Sequence, residues 1–304
     1  MNIIIAGANG FIARYLTRYF SQQGHTVKGL ARHKTGMAEE CKFVLWDGET
    51  LGDWAKEIDG ADVVINLTGR TVNCRYNEEN KRQIIDSRVH STRVIGEAIA
   101  ACQKPPEVWM NASTATIYRS AQDKPQGDHT GEIGSGFSVD VATAWEDAFF
   151  SANVPGQVRK LALRTSMVME DEPGTVYRYL RNLAKFGLGG KIGTGKQMVS
   201  WIHMTDVCRA IDWLIEHDEI SGPINITAPD PVSNAELMRR FRKFVSMPFG
   251  LPATKWMAEI GAFFLRTETE LILKSRWVVP TRLLEHGFVF QYPELDLDKF
   301  QEGE

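Results

Sequence analysis

No stretch of the sequence reaches the ~18 apolar residues that a membrane span requires. The opening residues, Met1-Asn2-Ile3-Ile4-Ile5-Ala6-Gly7, lack the basic start and full-length apolar segment of a secretion signal. Nor is there a run of five basic residues, and 35 Lys+Arg against 38 Asp+Glu leave a net charge of −3. A general nucleic-acid binder needs a strong positive surplus to displace counterions, so that class is not expected. Cysteine is scarce: Cys41, Cys74, Cys102 and Cys208 stand far apart, without the close pairs of a zinc or redox motif. Reduced, buried thiols, no metal site and a cytoplasmic location are therefore the expectations. With 304 residues, 43% hydrophobic and 24% charged, the chain has globular proportions and suits one large domain, or a large one plus a small one.

What is present is alternation. Residues 3–6 form a short buried run, and Phe11, Ile12, Tyr15, Leu16, Tyr19 and Phe20 then recur at helical spacing until Gly24. Strands are expected over 25–30, 42–46, 62–67, 108–112 and 160–164. Helices are expected over 51–57, 77–102, 139–151 and 176–186. Strands that are apolar throughout, alternating with helices, predict an α/β fold: a doubly wound parallel sheet with helices on both faces. After about residue 170 the alternation loosens into a glycine-rich loop at 187–195, a helix over 206–216 and a short strand at 224–226. Ser233 then caps a helix running to about 245, with Glu236 completing a capping box. The final residues, from Pro252, read as mostly helical, broken at Pro280 and Gly287. This suggests a nucleotide-binding domain over 1–225 and a smaller, mainly helical C-terminal lobe over 226–304.

The strongest motif is Gly7-Ala8-Asn9-Gly10-Phe11-Ile12-Ala13, directly after the first strand and opening the first helix. Gly7 permits the tight turn, and Gly10 lets backbone N–H groups approach a diphosphate at the helix N-terminus. The end of the second strand chooses between cofactors. An NAD site places an acid there for the ribose 2′-hydroxyl, whereas Ala31-Arg32-His33-Lys34 offers none. Arg32 can fork onto a 2′-phosphate, which favours NADP(H); a solvated basic loop is the alternative. Asp47 is a candidate for the adenine amino group or an exposed turn aspartate. Leu67, Thr68 and Gly69 end the fourth strand where the ribose and diphosphate would pass.

Together with Ala112-Ser113-Thr114, Tyr118 and Trp201-Ile-His-Met-Thr-Asp206, these motifs resemble an extended short-chain dehydrogenase/reductase. More narrowly, Trp46-Asp47-Gly48, Asp86-Ser87-Arg88, the Phe186–Gly190 run, Ala228-Pro-x-Pro, and Val279-Pro with Tyr292-Pro resemble the "epimerase family protein" branch, which ends in a small domain of unknown function. The resemblance spans almost the whole chain. It implies a Rossmann fold and an NADP-binding site formed by Gly7–Ile12, Ala31, Arg32, Leu67, Thr68, Gln83, Arg88 and the 165–167 segment with Met167. Gln83 reads equally well as a polar helix-surface residue.

One departure bears on activity. Most active members of the wider family use Tyr-x-x-x-Lys, and the matching positions here are Ser138 and Ala142. A serine hydroxyl is a far weaker acid than a phenol, whose ordinary pKa is ~10. Ser113 and Thr114 remain as candidate catalytic hydroxyls, with strand-end capping as the alternative for Thr114. Tyr118 and His203 read as packing residues, and Lys191 and Lys196 as loop lysines able to attract an anion. The expected function is an NADP(H)-dependent oxidoreductase or epimerase-like protein acting on a small molecule. The alternatives are a catalytically silent NADPH-binding sensor and, less favoured, a nucleotide-sugar epimerase.

Overall fold

Ile3, Ile4 and Ile5 leave no face of their strand polar, and that places the strand at the centre. The computed structural model of the protein describes residues 1–253 and 274–301. Its first half runs β1 (Asn2–Ala6), α1 (Phe11–Gln22), β2 (Thr26–Ala31), β3 (Lys42–Leu45), β4 (Val63–Asn66), α2 (Glu78–Ala100), β5 (Val108–Thr114), α3 (Phe137–Phe150) and β6 (Arg159–Thr165). There follow β7 (Met167–Met169), α4 (Val176–Lys185), β8 (Met198–Val199), β9 (Trp201–His203), α5 (Met204–Glu216), β10 (Gly222–Ile226), β11 (Val232–Ser233), α6 (Asn234–Phe244) and α7 (Thr281–Glu285).

Seven strands form one parallel sheet in the order β10-β6-β5-β4-β1-β2-β3. Successive side chains on a strand alternate between faces, and the two cores follow that parity. Ile3, Ile5, Val63, Ile65 and Met110 pack with Leu16, Phe20, Val207 and Ile211 of α1 and α5. Ile4, Val64 and Trp109 pack with Ile95, Ile99 and Phe149 of α2 and α3 on the other side. The order in which strands are added reverses between β1 and β4, and a sheet of this kind opens a crevice beyond its strand ends at that point.

A third core, built from Tyr177, Trp201, Phe241, Tyr292, Leu295 and Leu297, joins α4, β9 and α6 to the C-terminal residues. From residue 274 the chain threads back over the sheet edge. Arg276 N–H donates to Met198 O at 2.7 Å, Val278 N–H to Ser200 Oγ at 2.7 Å, and Gln126 N–H to Trp277 O at 2.7 Å. Leu283, Phe288 and Phe290 then enter the core beside α5. Asp206, on the first turn of α5 and fully buried, accepts from Gln291 N–H and Tyr292 N–H at 2.8 Å each and from Arg209 at 2.9 Å. The conspicuous Trp201–Asp206 motif is thus a clamp for the C-terminal segment.

The doubly wound sheet agrees with expectation, and the boundaries shift by one or two residues. The helix expected over 51–57 is a single 3₁₀ turn, Asp53–Glu57. β7, β8, β9 and β11 have two or three residues each, too few for any periodicity to register. Part of the helical stretch expected from Pro252 falls on 254–273, outside the described residues. Residues 274–301 hold only α7 and a 3₁₀ turn at Lys299–Gln301.

Asp206→Ala would leave two buried backbone donors unpaired beside an unpaired arginine. We expect urea denaturation to show a loss of about 3 kcal/mol; a loss below about 1 kcal/mol would mean that the clamp does not hold the segment.

Candidate functional site

At the crevice the chain leaves β1 through Gly7, whose φ of +77° lies in the left-handed region. A Cβ on Gly7 would stand 3.1 Å from Leu67 C and 3.2 Å from Thr68 Cα, so the ends of β1 and β4 pass backbone against backbone. Gly7 N–H donates to Leu30 O at 3.0 Å and Gly10 N–H to Gly7 O at 2.8 Å, which closes the turn around the buried Ala8 and Asn9. Gly10 then starts α1 without a side-chain cap and with no acidic residue in the first turn. The amides of Phe11, Ile12 and Ala13 therefore lack intrahelical acceptors, and the positive end of the helix is free to meet an anion.

Around this loop the expected residues divide. Ala31 is buried at the end of β2, and its carbonyl accepts from Trp46 N–H at 3.0 Å. Arg32 beside it is exposed, with no hydrogen bond or ion pair among the described residues. Asp47 is occupied by its own turn. It accepts from Glu49 N–H at 2.9 Å, Thr50 N–H at 3.0 Å and the Thr50 hydroxyl, and those bonds, the hydroxyl's first, hold its pKa below the usual carboxylate range. Asp47 thus braces its own loop, the alternative reading of this residue. Gln83 is exposed and bonds Glu79 of its own helix, as its surface reading has it. Met167 is half-buried, with its N–H on Ser200 O at 3.3 Å.

Arg88 comes closest to the crevice. A Cβ on Gly69 would lie 3.0 Å from its Cζ, so the glycine makes room for the guanidinium. Nη1 donates to Ile84 O at 2.8 Å and Arg70 O at 3.1 Å, and the group rests over the Trp145 ring at 4.9 Å. No carboxylate pairs with it among the described residues, and burial brings its pKa down to about 10. A buried network explains its position. Trp145 Nε1 donates to Thr92 Oγ1 at 3.1 Å, Thr92 Oγ1 to Asn111 Oδ1 at 3.2 Å, and Asn66 Nδ2 to Asn111 Oδ1 at 2.8 Å. Asn66 Oδ1 accepts from Thr68 N–H at 3.1 Å. Apart from the Asn66–Thr68 turn, these contacts join residues 19 to 53 positions apart, which no local spacing reveals.

The candidate hydroxyls have other partners. Ser113 Oγ donates to Glu146 Oε1 at 2.5 Å, and Glu146 forms a two-pronged buried pair with Arg164 at 2.7 and 2.8 Å. Ser113 thus braces that ion pair. Thr114 Oγ1 accepts from Thr116 N–H at 3.2 Å and caps the 3₁₀ turn after β5, the alternative reading of this residue. Tyr118 is fully buried, donates to Asn225 Oδ1 and accepts from Arg164 Nη1, both at 2.9 Å, and burial pushes its phenol pKa up. At the start of α3 the Ser138 hydroxyl is enclosed without a partner among the described residues, and Ala142 is fully buried. Lys191 and Lys196 are exposed. Among the described residues no three metal-ligating side chains gather, and no helix is long and apolar enough to cross a membrane.

His203 is structural. Its Nδ1 accepts from Thr205 N–H at 3.2 Å as the cap of α5, between the rings of Tyr292 at 4.0 Å and Phe300 at 4.6 Å. Burial lowers its pKa to about 4. The unfolded chain, with an ordinary histidine near 6.5, then binds the proton first, so stability falls as pH drops through the window between those values. His203→Asn keeps an acceptor at the cap and removes that titration. Between about pH 6.5 and 4 the wild type should lose about 3 kcal/mol more than this variant in urea denaturation, at about 1.4 kcal/mol per pH unit. Parallel profiles would contradict the assignment.

Comparison with known proteins agrees with this architecture. Residues 3–137 match the model of the NAD dependent epimerase/dehydratase family, and residues 253–297 match a domain of unknown function, DUF1731. Epimerase family protein ML0860 of Mycobacterium leprae is 32% identical over 293 residues, covering 95% of this chain and 92% of that one. Epimerase family protein YfhF of Bacillus subtilis is 29% identical, covering 97% and 96%. The crystal structure of human epimerase family protein SDR39U1 with NADPH superposes with a TM-score of 0.87 at 25% identity, covering the whole of both chains. The likeness runs the length of these relatives, and the chain belongs to the epimerase family proteins, of extended short-chain dehydrogenase/reductase type.

Proposed function

We propose that the protein binds NADP(H) across the ends of β1 and β4 and acts as an oxidoreductase- or epimerase-like member of its family on a small molecule. The observation that carries this reading is the open N-terminus of α1 at Gly7–Gly10, with the unengaged Arg32 one strand away. The residues present fit the cofactor. The Gly7 turn and the first amides of α1 would hold the diphosphate, and Thr68 and Gly69 would flank the ribose. Arg32 would fork onto the 2′-phosphate, and the Arg88 charge, paired with no carboxylate among the described residues, would face the cofactor's anionic or nicotinamide portion. The NADPH in the human relative supports the same choice. When bound, the cofactor supplies hydride-transfer chemistry.

The chain's own proton donor is not of the usual kind. Ser138 and Ala142, taken as the positions of the family's tyrosine and lysine, bring neither a phenol nor an ammonium group. A positioned acid or base is worth ~10²–10⁴-fold, so a proton must come from the substrate, from Thr114 or from water if reduction is to be efficient. A second reading is favoured by the engaged Ser113 and Tyr118 and the enclosed Ser138. It is a cofactor-occupancy sensor without turnover. Oxidation of bound NADPH by small aldehydes or ketones supports the enzyme, and persistent fluorescence supports the sensor.

The cofactor choice is tested at Arg32. Arg32→Ala should weaken NADPH by about 1.5–3 kcal/mol, the worth of a charged hydrogen bond, and leave NADH nearly unchanged in fluorescence titrations. Equal weakening of both would make Arg32 a structural residue and remove the basis for the NADP(H) preference.

A further inference from the structure

The geometry points to Arg70 as an anchor for an anionic group on the small-molecule substrate, a carboxylate or a phosphate held beside the cofactor. This rests on the reading that the crevice takes NADP(H), and it names the class of molecule that would share it. Arg70 follows Gly69 in the turn after β4, and α2 holds its backbone at two points. Its N–H donates to Ser87 Oγ at 3.0 Å, and its carbonyl accepts from Arg88 Nη1 at 3.1 Å. The side chain is half-buried, with Nη2 donating to Asn80 Oδ1 at 2.8 Å. Asn80 is itself fixed: its Nδ2 donates to Arg75 O at 2.7 Å, and its N–H to the helix cap, Asn77 Oδ1, at 2.8 Å.

This framework leaves over Nη1 of Arg70, enclosed and without a hydrogen-bond partner among the described residues. An enclosed, unpaired donor on a charged group is costly, and native proteins keep one where a ligand or ordered water completes the set. No carboxylate pairs with Arg70 among the described residues. Glu79 lies near enough to feel its charge, but Glu79 is exposed and bonds Gln83 and Arg82, which lower its pKa ahead of Arg70. Arg88, on the other side of Gly69, has no carboxylate among the described residues either. Two guanidinium groups thus bracket one glycine turn with their charge left for an incoming anion.

The place of Arg70 in the fold makes the anion the substrate's. β4 lies between β1, which carries the glycine turn, and β5, which ends at Thr114. The loop that begins at Arg70 reaches α3, where the Tyr76 ring meets that of Phe137 at 4.7 Å, next to Ser138. Arg70 therefore stands on the segment that runs from the ribose flank towards the position taken for the family's tyrosine. A guanidinium presents parallel N–H groups that match a carboxylate or a phosphate. Such an anchor would hold the reacting carbon of a small acid against the cofactor, and positioning of this kind supplies much of a catalyst's effect. An uncharged carbonyl compound has no such hold.

The NADPH-loaded protein is titrated by calorimetry with malonate, inorganic phosphate and uncharged malonamide, at neutral pH and constant ionic strength. The proteins are the wild type, Arg70→Gln and Arg70→Lys, each first titrated with NADPH by cofactor fluorescence. The wild type should bind malonate or phosphate and not malonamide, and the anion that binds tells a carboxylate substrate from a phosphate one. Arg70→Gln should weaken that anion by roughly tenfold or more, the loss of a charged hydrogen bond, and leave the NADPH affinity unchanged. Arg70→Lys, a point charge without the fork, should weaken it severalfold. The inference is overturned if the wild type binds neither anion, if malonamide binds as well as malonate, or if Arg70→Gln binds the anion as the wild type does. It is overturned too if Arg70→Gln weakens NADPH as much as the anion, which would give Arg70 to the cofactor. Should Arg70→Gln not fold, Arg70→Lys decides, since anion binding equal to that of the wild type would leave the fork without a role. In each of these results the wild type still binds NADPH and the cofactor reading stands; if it binds none, both fall.

Discussion

The site depends on one close approach, the backbone of Gly7 against that of Leu67 and Thr68. It exists because β1 and β4 are paired neighbours, with Ala6 opposite Asn66, at the point where the strand order reverses. A side chain at residue 7 would press on the β4 turn and require a backbone conformation costly to every residue but glycine. From that contact follow the orientation of α1, the outward aim of its first amides and the shape of the crevice. The network through Asn66, Asn111, Thr92 and Trp145 then fixes the turn after β4. The turn and the Trp145 ring in turn fix where Arg88 can lie.

Two arginines near this edge of the sheet show how surroundings assign a role to the same side chain. Arg164 meets Glu146 with two hydrogen bonds in a nearly closed setting, and Ser113 and Tyr118 complete the set. A buried charge so matched is part of the framework, and breaking it would leave its partner uncompensated. Arg88 has carbonyls and an aromatic face instead, and no carboxylate among the described residues. Its charge is tolerated rather than neutralised, which is the condition a bound anion would relieve.

The sheet was legible because its strands are apolar on both faces and its helices repeat their apolar residues every three or four positions. The turn between β1 and α1 was legible because its left-handed geometry at Gly7 favours glycine. Asp47 and Gln83 spend hydrogen bonds locally, on Thr50 three residues on and on Glu79 four residues back, spacings that a turn and a helix face supply. The Ser113 brace was hidden because its partner, Glu146, is 33 residues away on α3. The Asp206 clamp was hidden for the same reason: the amides it holds lie 85 and 86 residues further along.

The most direct test is a crystal structure of the protein grown with NADPH. The account predicts the diphosphate over the Gly7–Gly10 turn, the 2′-phosphate against Arg32, and the Arg88 guanidinium within hydrogen-bond distance of the cofactor. A cofactor bound elsewhere, or an Arg88 still facing only carbonyls and Trp145, would contradict it.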